Sequence, residues 1–287
     1  MMSDTILVTG STGKVGSQVV EQLNAAGARI RAAVQATSNV EAIKRVGAET
    51  SVMDFNDRPS LGEALHGVEK AFLIMPLVHN MVEVNAGFVE EAAKSGVKHI
   101  VKLSVLGADA EPPMVLAGWH REIEKKIESS GIPFTFIRPT HFMQNFLGMP
   151  TIKTQATFYQ STGDGKSAYV DTADIAAVAV KALTEGGHEG KIYEVTGPEA
   201  LSNYDVAEIL SRVSGKQISY VDVSDDVIRS GMKAGGLPEW LIESLIELNA
   251  FQKAGKTAQV TPDVEKVTGR KPKSFEQWAG ENLEAFK

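Results

Sequence analysis

The chain has 287 residues, an apolar share of 43% and a net charge of −7: enough for a large packed core, and too acidic for a broad electrostatic grip on nucleic acid. It contains no cysteine, which removes disulfides, thiolate metal sites and cysteine nucleophiles together and leaves the redox compartment open. Met1-Met2-Ser3-Asp4 leads into a strand with no basic leader, and no long apolar stretch follows, so the expectation is a cytoplasmic protein without a membrane partner.

The first strand and turn, Ile6-Leu7-Val8-Thr9-Gly10-Ser11-Thr12-Gly13-Lys14-Val15-Gly16, run into an amphipathic helix carrying Val15, Val19, Val20 and Leu23 on one face. A continuous apolar run suits a parallel strand covered on both sides, and glycines placed straight after it let backbone approach a pyrophosphate at a helix N-terminus. Gly10 makes the turn, Gly13 admits phosphate without a Cβ, Gly16 lets helix and sheet close up, and Ser11 and Thr12 offer hydroxyl donors. The spacing is G-x-x-G-x-x-G, one residue longer in its first half than the ordinary dinucleotide fingerprint.

Strand and helix signals then alternate, the pattern of an α/β doubly wound parallel sheet. Strands are expected at 29–35, 49–53, 70–74, 99–103 and 133–137, with helices at 40–46, from Pro59 to Leu65, at 81–95 with Val82, Ala86, Val89 and Ala93 inward, and from Arg121 to Ser130 with Glu122 and Lys126 paired outward. Beyond Arg138-Pro139 the pattern loosens. Short strands at 156–160 and 168–170 flank a hairpin at Thr162-Gly163-Asp164-Gly165, Asp171 caps a helix through Leu183, and 191–195 adds a seventh sheet strand. Helices from Tyr204, Asp225, Pro238 and Phe275 and a strand at 218–221 make a smaller C-terminal α/β lobe, which assigns 1–138 and 171–196 to the dinucleotide domain and 139–170 and 197–287 to the substrate-side lobe.

Ligands of such sheets sit outside the carboxyl ends of the strands, so Gly10, Gln35, Asp54, Met75, Ser104 and Arg138 are expected along one crevice. Asp54-Phe55 suits adenine, as acceptor and ring. Gln35-Ala36-Thr37-Ser38-Asn39 supplies neither the acid that binds an NAD ribose nor the arginine that binds an NADP phosphate, and Lys14 is the nearby cation, which favours NADP over NAD. Ser161 to Ser167 imitates the end of a phosphate-binding loop, but Gln160 stands where glycine is required. The six histidines include no HxxxH pair, so no metal site is expected. Glu83, Glu90 and Glu91 read as a solvated face, and Trp240, Leu241, Leu245 and Leu248 as a packing stripe.

With these residues placed, the chain resembles the NmrA-like branch of the atypical short-chain dehydrogenases, which includes NAD(P)H:quinone oxidoreductases and triphenylmethane reductase. The likeness rests on Val8 to Gly16, Asp54 with Ser60-Leu61, Gly96-Val97-Lys98-His99-Ile100-Val101, Gly131 to Pro139 with Phe142 and Asn145, Tyr169-Val170-Asp171 with Asp174-Ile175-Ala176, and Thr268-Gly269-Arg270-Lys271-Pro272. It implies a Rossmann fold and a nucleotide held by Gly10, Ser11, Thr12, Gly13, Lys14, Val15 and Gln35, with Asp54 and Phe55 at adenine. Met75, Pro76, Leu77, Ser104 and Thr140 then follow the ribose and nicotinamide, and His141, Phe142 and Asn145 shape the substrate pocket.

Catalytic members of the wider superfamily protonate the substrate oxygen with a Tyr-x-x-x-Lys pair. Setting Glu124 against the glutamate that usually follows that pair puts Leu116 at the tyrosine and His120 at the lysine. Quinones and cationic dyes tolerate this loss because water can supply any proton, so the expectation is a reductase of a small-molecule electron acceptor, with His120 the candidate catalytic residue. The same loss suits a redox-sensing regulator that binds NAD(P) and signals to a protein partner. Leu116 disfavours an epimerase or hydroxyl dehydrogenase.

Overall fold

The computed structural model describes residues 4–38 and 40–287; Met1, Met2, Ser3 and Asn39, all counted in the expectations above, lie outside the described residues. In chain order the elements are β1 Thr5–Val8, α1 Gly16–Ala25, β2 Arg29–Val34, α2 Glu41–Arg45, β3 Glu49–Val52, α3 Arg58–Leu65, β4 Lys70–Leu73, α4 Met81–Lys94, β5 His99–Leu103, α5 Val115–Ser129, β6 Phe134–Pro139, α6 Pro150–Gln155 and β7 Thr157–Gln160. They continue with α7 Thr172–Thr184, β8 Lys191–Val195, α8 Asn203–Ser214, β9 Ser219–Asp222, α9 Asp225–Ala234, α10 Glu239–Lys253, α11 Asp263–Thr268 and α12 Phe275–Glu281.

The chain divides into two units. One comprises the segment ending at Asp109, Ala117–Arg138 and Thr172–Glu194; the other comprises Ala110–Leu116, Pro139–Asp171 and Val195–Lys287. In the first, a seven-stranded sheet runs β3-β2-β1-β4-β5-β6-β8, and the pairs from β3 through β6 are parallel. The order reverses between β1 and β4, which is where open α/β sheets hold their ligands. Helix α1 packs on α7, fastened where Gln22 Nε2 donates to the Ala173 carbonyl at 3.0 Å. The second unit is built around Phe146, Phe158, Tyr169, Tyr220, Phe275 and Trp278, and its two-stranded sheet pairs β7 with β9 in parallel.

Several local expectations need correction. Parallel pairing of β7 with β9 excludes the hairpin at 162–165; those residues form a turn closed by Gly165 N donating to Thr162 O at 2.9 Å, and Phe158 on β7 packs on Tyr220 of β9 with centroids 5.4 Å apart. Residues 168–170 form no strand of their own, and Val170 makes a single bridge to Phe142. Helix α5 begins six residues before Arg121, and Glu122 pairs with Lys125 at 2.7 Å rather than with Lys126. Helix α4 is partly turned from the expected face: Val89 is buried as expected, but Met81, Val84, Phe88 and Ala92 are buried with it while Val82 and Ala86 are half-buried and Ala93 is exposed, because the larger Phe88 takes the core position. Glu90 and Glu91 are not merely solvated, since both pair with Arg58, which also donates to Gly87 O at 3.0 Å. On α10 the buried residues are Ile242, Ser244, Ile246 and Gln252, and the stripe of Trp240, Leu241, Leu245 and Leu248 is only half-buried. No helix among the described residues is long and apolar enough to cross a membrane.

Candidate functional site

The site grows from the end of β1, whose four residues are all buried. Thr9 Oγ1 donates to Ile74 O at 2.8 Å and accepts from Ile74 N at 2.7 Å, which clamps β1 to the end of β4. Gly10 then turns the chain at φ +57°, in the left-handed region where an L side chain is strained. A Cβ on Gly16 would lie 2.1 Å from the Gly10 carbonyl oxygen, so only glycine lets α1 start against the loop. Gly13 is exposed, and a Cβ there would meet only that same oxygen, at 3.2 Å. Helix α1 has no side-chain cap and no acid in its first turn, which leaves its leading N–H groups and partial positive charge directed at whatever occupies the loop. An open glycine face before such a helix end suits the pyrophosphate of a dinucleotide.

Within the loop, Thr12 and Lys14 are exposed. Ser11 departs from expectation: its hydroxyl is buried and donates to Ala33 O at 2.7 Å, tying loop to β2 because the extended β2 backbone lies directly beneath it. Val15 is also buried and contributes backbone alone to the loop surface. Desolvation lowers the Lys14 ammonium pKa from its ordinary value.

Parallel pairing brings the remaining expected residues to one edge of the sheet, at the ends of β2 to β6. Gln35 is exposed, and its N–H donates to Ser38 Oγ at 3.2 Å. Asp54 is exposed and its carboxylate accepts from Asn56 N at 2.8 Å, while Phe55 lies against Phe88 with centroids 5.8 Å apart. Met75 and Pro76 are half-buried, and Leu77 is exposed.

Ser104 and Arg138 are used differently from expectation, because both serve the buried Glu124 of α5. Ser104 Oγ donates to Glu124 Oε1 at 2.5 Å, and Arg138 grips the same carboxylate at 3.0 Å through Nε and 2.5 Å through Nη2. Arg121 adds a contact at 3.2 Å, and Asp109 pairs with both arginines. Hydrogen bonding to Arg138 holds the Asp109 carboxyl below its usual range. A buried carboxylate paired and hydrogen-bonded on both oxygens fixes the middle of α5 to β5 and β6.

One residue pair on this seam escaped the sequence reading. Lys102 of β5 is fully buried, and its Nζ lies 3.1 Å from His120 Nδ1. Burial lowers the lysine pKa to about 7, against Glu124 and with Arg138, and the same burial, followed by the charge on Lys102, holds His120 well below its ordinary value. The available signal was a lysine interrupting the apolar run Ile100-Val101-Lys102-Leu103.

In the second unit Thr140 is buried and its hydroxyl donates to Ala168 O at 2.5 Å. His141 is half-buried, 3.0 Å from Ser167 Oγ, and burial lowers it to about 4. Phe142 is half-buried and Asn145 exposed. Among the described residues no group of three or more His, Asp or Glu is arranged to hold a metal.

A sheet whose order reverses beside a glycine turn and an uncapped helix end defines a dinucleotide-binding α/β protein of the Rossmann kind. The chain belongs to the NmrA-like family, whose pattern it matches over residues 2–286. It is 37% identical to an NAD(P)H azoreductase of Xenophilus azovorans over 98% of this chain and 99% of that protein. It superposes on the NADPH complex of an NADPH-dependent quinone oxidoreductase of Escherichia coli with TM-score 0.86 and 31% identity, covering 97% and 99% of the two chains. Triphenylmethane reductase of a Citrobacter species, complexed with NADP(H), gives 0.84 and 27%, covering 99% and 100%. These relatives are oxidoreductases by name.

Proposed function

We propose that this protein is an NAD(P)H-dependent oxidoreductase that reduces quinone-like or other conjugated acceptors. The observation that carries the reading is the glycine cradle at the uncapped start of α1, which fits a dinucleotide, in a chain aligned end to end with reductases of azo dyes, quinones and triphenylmethane dyes. When bound, the reduced nucleotide supplies hydride.

Gly10, Thr12, Gly13 and the backbone of Ser11 and Val15 hold pyrophosphate. Lys14 and Gln35 flank the adenosine ribose, with Lys14 giving a 2′-phosphate one charge-assisted contact and hence a bias toward NADPH. Asp54 and the open side of Phe55 border adenine. Met75, Pro76 and Leu77 line the path toward nicotinamide, where Ser104 serves as wall, its hydroxyl being committed to Glu124. His141, Phe142 and Asn145 shape the acceptor pocket.

Leu116, four residues before His120 on α5, carries no hydroxyl, so the proton route of the Tyr/Lys dehydrogenases is not open to it. Conjugated acceptors suit such a site because the negative charge formed on reduction is delocalised, so the group that protonates it need not be a Tyr/Lys pair. Steady-state oxidation of NADPH against a panel of benzoquinones, azo dyes and triphenylmethane dyes tests the reading, with turnover of at least one acceptor class expected. Tight nucleotide binding with no turnover of any acceptor would overturn it.

A further inference from the structure

Two polar pairs stitch β5 to α5. Ser104 meets Glu124, and two residues back along the strand Lys102 meets His120, four residues back along the helix. Lys102 and Ser104, two residues apart, project from one face of the strand, and His120 and Glu124, four residues apart, share one face of α5. The pairs differ in chemistry. Both oxygens of Glu124 are committed to Ser104, Arg138 and Arg121, and Lys102 makes no ion pair with a carboxylate among the described residues. Its partners are His120 Nδ1 at 3.1 Å and the Leu103 carbonyl at 3.4 Å.

A fully buried lysine without a carboxylate is costly to keep, which sets this one apart from a lysine retained for stability. An ammonium has donors and no acceptor, so His120 Nδ1 must accept from it and Nε2 must carry the imidazole proton. Nε2 makes no hydrogen bond to any described residue, and the imidazole is half-buried where Lys102 is wholly enclosed. The pair therefore presents one fixed donor outward and keeps a second proton behind it.

We propose that Lys102 and His120 form a proton relay, in which His120 is the donor to the reduced acceptor and Lys102 is the positioning and reloading group behind it. The proposal rests on the reductase reading. Hydride from the reduced nicotinamide nucleotide leaves an anion on the acceptor oxygen or nitrogen. The His120 Nε2–H bond breaks as the new O–H or N–H bond forms, and a Lys102 Nζ–H bond breaks as Nδ1–H forms. The ammonium becomes an amine, the imidazole changes tautomer while staying neutral, and the acceptor anion is discharged. A proton from water at Nε2 runs the sequence backward and restores the ammonium. The charged groups facing the pair are Glu124 of α5, which favours the ammonium, and Arg138 of β6, which opposes it; with burial they leave Lys102 able to give up a proton near neutrality, while His120 is held neutral. This sets a donor by tautomer rather than by imidazolium charge.

The test begins without turnover. In the full chain with 15N-labelled histidine, the ring signals missing from His120→Gln identify His120, and at pH 6 they are expected to show the neutral Nε2–H tautomer. In Lys102→Met, which keeps the buried volume, they are expected to move toward a mixture of tautomers, with a thermal midpoint at or above that of the unaltered chain. With a quinone acceptor the same variant should lose kcat by about 100-fold. KM and the NADPH Kd should stay within about twofold, and kcat should lose its fall on the alkaline side. Lys102→Met and His120→Gln together should cost no more than the worse single change. An Nδ1–H tautomer in the unaltered chain, or a tautomer and kcat both indifferent to Lys102→Met, would overturn the relay. If Lys102→Met does not fold, the tautomer of the unaltered chain decides. If no acceptor is turned over, the reductase reading fails separately, because the tautomer is read without one.

Discussion

Gly16→Ala probes the link between loop geometry and nucleotide binding. The added Cβ would sit 2.1 Å from the Gly10 oxygen, 2.7 Å from its carbonyl carbon and 3.0 Å from Ser11 Cα. All three are backbone atoms, so no flexible side chain can yield, and ordinary contact requires the loop and the start of α1 to part by roughly 1 Å. Gly10 cannot simply retreat, since its oxygen also accepts from Gly13 N at 2.9 Å and a Cβ placed on Gly10 would already lie 3.0 Å from Ile74. We expect a cost near the top of the overpacking range, about 3 kcal/mol, which at about 2 to 4 °C per kcal/mol lowers Tm by roughly 6 to 12 °C. Distortion of the cradle should also raise the NADPH Kd by about 10-fold or more. Gly13→Ala is the control: its Cβ meets only the Gly10 oxygen, at 3.2 Å on an exposed face, so Tm should fall by less than about 3 °C while Kd rises comparably. Thermal unfolding by circular dichroism and titration calorimetry measure the two quantities. Gly16→Ala with both values unchanged, or Gly13→Ala with unchanged affinity, would refute the cradle.

Lys14→Ala should weaken NADPH more than NADH in fluorescence titrations; equal loss for both would show that Lys14 does not read the 2′-phosphate. Glu124→Gln leaves Arg138 buried with half its partners gone, and should destabilise the fold by about 3 kcal/mol in urea unfolding, with Asp109 limiting the damage; a change under about 1 kcal/mol would mean the cluster is not buried as described. His141, lowered to about 4 by burial, binds fewer protons folded than unfolded between pH 4 and its ordinary value of about 6.5. Its contribution to stability is therefore full above about pH 6.5 and fades as pH falls toward 4, so His141→Asn should flatten the Tm profile in that window, and a parallel profile would exclude the effect.

How far the sequence could be read follows from whether each signal is local or depends on what topology brings together. The glycine turn, the strands from β1 to β6 and most helices were legible because apolar period and punctuation lie within a few residues of each other. Helix α4 shows the limit of period alone: Val89 is buried as its period predicts, but Val82, Ala86 and Ala93 give way to Met81, Val84, Phe88 and Ala92, and where Phe88 fits decides between them. The turn at 162–165 failed for a related reason. Thr162-Gly163-Asp164-Gly165 is sound turn chemistry, yet β7 finds its partner in β9, some sixty residues away, and no local rule names it. The site divides along the same line. The cradle is contiguous and was readable, whereas Ser104, Glu124 and Arg138 come from β5, α5 and β6 and meet only once parallel order and helix register are set. In the sequence Glu124 serves only as an alignment mark. In the folded chain it anchors α5 to β5 and β6, and the same helix carries His120 to Lys102, whose amino group comes from the strand.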